Sequence, residues 1–175
     1  MYREPFEQQR LEWPQHLTTL GKPAFVGFAA GRRSGELDKD VWERYAKHVK
    51  AVLQVGETKD DTYGIRLAYP AEIVPLVNPY DLSAGDDFSF LCLVNGRPVS
   101  HQLVILGGDQ GGNLVDEVRK RTDDNGEVTF TISSPGKWYV EFINMVASAE
   151  ADLDYESQWA TLAFEINQST IVPRQ

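Results

Sequence analysis

The chain has 175 residues, a formal net charge of −9 and a hydrophobic fraction of 42%, with four Trp, seven Tyr and eight Phe. That apolar content is enough for a core, so disorder is not expected. The acidic balance excludes a partner held mainly through a nucleic-acid backbone or anionic lipid, since both need clustered Lys and Arg; a cation stays compatible with it.

The N-terminal stretch Met1-Tyr2-Arg3-Glu4-Pro5-Phe6-Glu7 is charged and broken by proline, with no apolar segment behind it. No signal peptide is expected, and the chain would be cytoplasmic if Met1 is its natural start. No apolar run approaches the ~18 residues of a membrane span, so no direct membrane insertion is expected.

Residues 1–80 are irregular, with Pro5, Pro14, Pro23, Pro70, Pro75 and Pro79 scattered through them. The apolar run 24–29 predicts a strand. Asp38 can cap a helical turn running through Tyr45. Residues 46–55 fit two patterns: Trp42, Ala46, Val49 and Leu53 make a helical stripe, whereas Val49, Ala51, Leu53 and Val55 alternate as in a strand. The β-branched content and Gly56 favour the strand. Residues 57–70 are polar and predict a loop. Residues 72–77 predict a short strand, and Pro75 puts it at a sheet edge.

From residue 81 the pattern is regular. Residues 86–94 predict a strand, Asn95-Gly96-Arg97-Pro98 a hairpin turn, and 99–106 the next strand. Gly107-Gly108-Asp109-Gln110-Gly111-Gly112 predicts a long hairpin loop. It looks like a phosphate loop only superficially, since no Lys-Ser/Thr and no helix follow. Residues 114–122 pair back. The stretch 118–143 then predicts a three-stranded β-meander, with turns at Asp123-Asp124-Asn125-Gly126 and Ser133-Ser134-Pro135-Gly136. Within it Val128, Phe130 and Ile132, then Trp138, Val140 and Phe142, alternate with Glu127, Thr129, Thr131, Tyr139, Glu141 and Ile143. Residues 147–156 predict an acidic loop and 158–166 a closing strand.

Short strands at this spacing predict a mainly β protein. Residues 81–167 form its antiparallel β-sandwich, 1–80 an irregular β-rich N-terminal portion and 168–175 a C-terminal tail. Trp138, Trp159, Phe130, Phe142 and Phe164 read as core. Trp13, Trp42, Tyr63, Tyr69, Tyr80 and Tyr155 lie near loops or strand ends and either pack portions together or line a recognition surface.

Few residues suggest chemistry. Cys92 is the single cysteine and sits in an apolar run, so it reads as a buried small hydrophobe and not a nucleophile. The histidines are His16, His48 and His101, with no pair at metal-ligand spacing. His101 is the best candidate ligand for Ni or Co, because it is expected in a strand beside the glycine-rich loop. Glu150, Asp152, Asp154 and Glu156 fall at alternate positions; in an extended segment they share one side and would suit a Ca ion, though the loop lacks the Gly and Asn pattern of a dedicated calcium loop. No carboxylate pair or Ser-His-Asp set stands out, so an enzyme is not expected.

Several runs carry a family likeness: Arg44-Tyr45-Ala46-Lys47 with Leu53-Gln54-Val55-Gly56, then Glu72-Ile73-Val74-Pro75-Leu76 with Asn78-Pro79-Tyr80. Gly96-Arg97-Pro98, Arg121-Thr122-Asp123 with Gly126, Pro135-Gly136-Lys137-Trp138 and Tyr155-Glu156-Ser157-Gln158-Trp159-Ala160-Thr161-Leu162 follow in order. In these the chain resembles a bacterial family of unknown function often described as the periplasmic component of cobalt/nickel uptake. The resemblance implies an immunoglobulin- or transthyretin-like sandwich, a periplasmic location and partners among metal-uptake transporter components. Family members usually carry a signal peptide, a His-bearing first strand and a His where this chain has Asn144. An N-terminal portion lacking that first strand would expose an unpaired edge and favour a homodimer.

The expectation is a non-enzymatic, extracytoplasmic-type binding module accessory to nickel or cobalt uptake. The rival is an interaction β-sandwich that binds a protein or glycan through its aromatics, without metal.

Overall fold

The computed structural model describes residues 42–167. Among them are nine strands and two short 3-10 turns: β1 (Glu43–Ala51), β2 (Ala71–Pro75), β3 (Asp87–Val94), β4 (Arg97–Pro98), β5 (Leu103–Gln110), β6 (Asn113–Arg121), β7 (Glu127–Thr131), β8 (Gly136–Ala147) and β9 (Tyr155–Ile166). One sheet has the order β1-β9-β8-β5-β6; in the other, β3 is flanked by β2 on one side and by β4 and β7 on the other. The protein is therefore mainly β, with two antiparallel sheets that make a sandwich. The strand expected at 24–29, His16, Trp13 and the tail 168–175 lie outside the described residues.

Two compact units are distinguished. Among the described residues, one gathers 42–46 with 144–158, the other 47–143 with 159–167. In the second, β2 and β3 pair across the expected boundary at residue 80, with Ile73 opposite Cys92 and Pro75 opposite Phe90. Among the described residues β2 ends its sheet, as Pro75 predicts.

The core of this unit follows from the alternation. Phe88, Phe90, Val128, Phe130 and Ile132 from one sheet meet Val104, Leu106, Trp138, Val140, Phe142, Leu162 and Phe164 from the other. Phe88 and Phe164 meet edge-on at 5.0 Å between centroids, an arrangement that suits the aromatic quadrupole.

Four expectations are corrected. The stretch 118–143 is not a meander: β7 pairs with β3, Phe88 standing opposite Phe130, whereas β6 and β8 both pair with β5. The chain crosses to the other sheet after Arg121 and returns at Gly136. Alternation reports only which face of a strand is apolar, and a strand buried on one face looks the same in either sheet.

The glycine-rich segment is not a long loop. β5 runs through Gln110, and only Gly111-Gly112 turn, both with positive φ. Gly107 and Gly108 belong to the strand because aromatics of β8 lie across it. A Cβ on Gly107 would stand 2.4 Å from Tyr139 Cζ, and one on Gly108 2.8 Å from Trp138 Cε3.

Residues 43–45 are not helical but begin β1. Its apolar stripe also faces the unexpected way: Val49 is 62% exposed, while Val52 packs on the core. Lys50 takes the inward side, where Glu72 meets it.

Elsewhere the predicted turn chemistry holds. Asp123 Oδ1 accepts from Asn125 N–H at 2.9 Å and Glu127 N–H at 2.8 Å. Asn95 and Gly96 both take positive φ between β3 and β4.

Candidate functional site

The residues expected to hold a metal are not brought together. His101 lies in the turn between β4 and β5, with φ 55°, and not in a strand. It stands before the start of β5, whereas Gly111-Gly112 follow its end. Its exposed ring places Nε2 3.3 Å from Asp124 Oδ1. The positive φ is tolerated because His is among the residues that visit this region, and its carbonyl accepts from the Arg121 guanidinium at 2.6 Å.

The acidic segment, in the smaller unit, is the hairpin between β8 and β9, and its carboxylates serve the chain itself. Glu150 forms a bidentate pair with Arg44, at 2.8 and 2.6 Å. The Arg44 hydrogen bond, against desolvation and helped by the Arg44 charge, holds the Glu150 carboxyl below its usual range. Asp154 Oδ2 accepts from Trp42 N–H at 2.8 Å, and Glu156 Oε1 accepts from Ser148 Oγ at 3.3 Å. Asp152 is exposed. These partners point different ways because the segment turns instead of running extended. Among the described residues no three His, Cys, Asp or Glu side chains are grouped to hold a metal ion. Cys92 is fully buried, and desolvation pushes its thiol up to about 12.

A different cluster lies on the outward side of the five-stranded sheet, within the larger unit. Tyr139 and Glu141 project from β8 between inward-facing Trp138, Val140 and Phe142. Tyr139 lies over bare Gly107 and donates from its hydroxyl to Glu117 Oε1 on β6 at 3.3 Å. Glu117 also pairs with Arg119 at 2.6 Å. Ile105 of β5 stands between Glu141 and Arg119 in register. On the other side Lys47 Nζ sits 4.7 Å from the Trp159 ring centroid, a cation–π contact. Trp159 is thus half-buried on the outer face and not a core residue.

The electrostatics tie these groups together. Burial, then the nearby Glu117 charge, raise the Glu141 carboxyl above its usual range, against an opposing pull from Lys47. Burial also raises the Tyr139 phenol, followed by the charges of Glu117 and Glu141. A half-buried carboxylate that feels a second carboxylate across β5, with Tyr139 and Trp159 on the same face, can receive a polar or cationic group. Such perturbed groups cluster at functional sites more often than elsewhere.

The sequence marks part of this cluster. Tyr139 and Glu141 stand on the polar side of a strongly alternating strand, and an aromatic–acid pair there is a usable signal. Glu117, Lys47 and Trp159 carry no such mark, because only the order of strands brings β6 and β9 to either side of β8.

No curated protein and no solved structure matches the chain. A family model does match, over residues 6–145, which is most of the chain. The protein belongs to the family described as Domain of unknown function (DUF4198).

Proposed function

We propose that this protein is a non-enzymatic binding module that takes a protein or glycan partner on the outer face of its five-stranded sheet. The observation that supports this reading is the half-buried Glu141 on β8, sharing the outer face with Tyr139, with Trp159 of β9 and with Glu117 across β5 on β6. Tyr and Trp offer large rigid contact area at low entropic cost, and a partly desolvated carboxylate gives direction to the contact. The test is a screen of the whole chain against immobilised glycans and displayed peptides, followed by Tyr139→Ala and Glu141→Gln. Binding that falls at least tenfold in both variants supports the reading. A hit indifferent to both substitutions removes this face from consideration.

A second reading is an accessory role in nickel or cobalt uptake outside the cytoplasm, with transporter components as partners. It rests on the resemblance described above and on His101, which pairs with Asp124 at 3.3 Å in an exposed position. Two such groups can start a transition-metal site, which imidazole and carboxylate suit. Calorimetric titration of the metal-stripped chain with Ni²⁺ and Co²⁺, with Ca²⁺ as comparison, decides it. Micromolar binding lost in His101→Ala supports the role; absence of heat for Ni²⁺ and Co²⁺ ends it.

A further inference from the structure

We propose that β6 is a self-complementary edge through which two copies of this chain pair antiparallel, with Val118 on the two-fold axis. This interface does not depend on the binding reading above.

Among the described residues β6 ends the five-stranded sheet, and all its residues except Val115 are exposed. Its sequence is Asn113-Leu114-Val115-Asp116-Glu117-Val118-Arg119-Lys120-Arg121. The acidic residues precede Val118 and the basic ones follow it. Reversing the strand about Val118 therefore sets Glu117 opposite Arg119 of the second copy, and Arg119 opposite Glu117. Glu117 and Arg119 share one face, as their 2.6 Å contact within the strand requires, so the cross-copy pairs also meet on one face. Opposite charges directly across an antiparallel pair stabilise it, and like charges destabilise it.

The backbone is arranged for this register. Thr122 N–H donates to Gln102 O at 3.0 Å, so Thr122 turns its backbone toward β5. Alternation turns Lys120 and Val118 the same way, which leaves the N–H and C=O of Arg119 facing outward. Val118 is then a non-hydrogen-bonded pair across the axis. Its side chain is 43% exposed, and burying it against its copy adds apolar contact.

Charged edges and bulges usually guard against pairing. β6 itself carries a register irregularity, two residues, Asp116 and Glu117, standing against the single Gly107 between Leu106/Val118 and Gly108/Val115. It keeps the regular ladder short on the Asp116 side. The charged part of such a guard works by repulsion, however, and this charge order attracts its own reversed copy. Lys120 is engaged elsewhere, donating to Thr129 O at 2.7 Å, so the pairing centres on residues 117–119. The interface is small and the dimer correspondingly weak.

Sedimentation of the full chain from about 5 µM to 500 µM reads the equilibrium. The expected result is a concentration-dependent dimer that weakens at least tenfold in Glu117→Arg and in Arg119→Glu, and returns in the double reversal. The singles set like charges across the axis; the double restores both pairs with their order exchanged. Val118→Cys should also cross-link between copies on mild oxidation, since Cα atoms about 4.5 Å apart across such a pair fit a disulfide. Leu114→Cys, which is 88% exposed but off the axis, should not. Buried Cys92 stays silent. A monomer at every concentration overturns the proposal and leaves this edge to a strand of some other protein. A dimer indifferent to the reversals, or cross-linking equally well at Leu114→Cys, overturns it too.

Discussion

Lys50 of β1 and Glu72 of β2 form a buried ion pair, Nζ 2.9 Å from Oε1, with side chains only 11% and 2% exposed. Both groups also hold the connection between the strands: Lys50 Nζ donates to Ile65 O at 3.0 Å, and Glu72 Oε1 accepts from Leu67 N–H at 2.7 Å. Removing one partner strands a buried charge, so Lys50→Met should cost about 3–5 kcal/mol in urea unfolding. Replacing both by apolar residues should cost much less.

The same pair gives an acid dependence. Burial pushes the Glu72 carboxyl up, but hydrogen bonds from Leu67 N–H and Lys50, with the Lys50 charge, hold it below its usual range. A carboxyl depressed by folding stabilises the fold above its unfolded value, about 4.3. That contribution is lost as pH falls through the lower folded value. Wild type should therefore lose more stability than Glu72→Gln between about pH 5 and pH 3, measured by urea midpoints across that window.

Glu141 has the opposite sign. Burial and Glu117 raise it, so its charged form is disfavoured by folding. Its contribution is most favourable below the unfolded value and is lost as pH rises through the folded one. At pH 7, Glu141→Gln should stabilise the protein, because the neutral amide escapes the burial that disfavours the charged carboxylate and, second, the charge of Glu117 across β5. A melting curve that shows the variant no more stable than wild type at neutral pH contradicts this.

The β8–β9 hairpin should be indifferent to calcium. Its Glu150 and Asp154 are committed to Arg44 and to Trp42 N–H, and the carboxylates diverge. Millimolar Ca²⁺ should leave the melting temperature unchanged. Arg44→Ala should not create calcium affinity either, because freeing Glu150 still leaves Asp154 and Glu156 held apart by their own partners.

Cys92 should be inert in the folded protein. Its thiol is fully buried and pushed up to about 12 by desolvation, so almost no thiolate exists at pH 8. A thiol reagent such as DTNB should react only after denaturant is added. Stoichiometric reaction in native buffer within minutes would contradict the burial.

Much of the architecture was legible because side chains in a strand alternate with period 2. Phe130 and Trp138 announce their inward faces by that rule alone, and Asp123, Asn95 and Gly96 announce their turns through side-chain capping and positive φ. The site was legible only in part. Tyr139 and Glu141 are marked as outward residues of a strongly alternating strand, while Glu117 and Lys47 resemble any other exposed charge.

By itself the sequence determined strands, faces and turns, since these depend on neighbours along the chain. Only the tertiary structure decided partners. It sent β7 to β3 instead of into a meander, and drew Gly107 and Gly108 into β5 beneath Tyr139 and Trp138. It turned Lys50 inward toward Glu72 and Val49 outward. Each of these rests on contacts between residues distant in the chain, where hydrogen bonding and burial outweigh the local pattern.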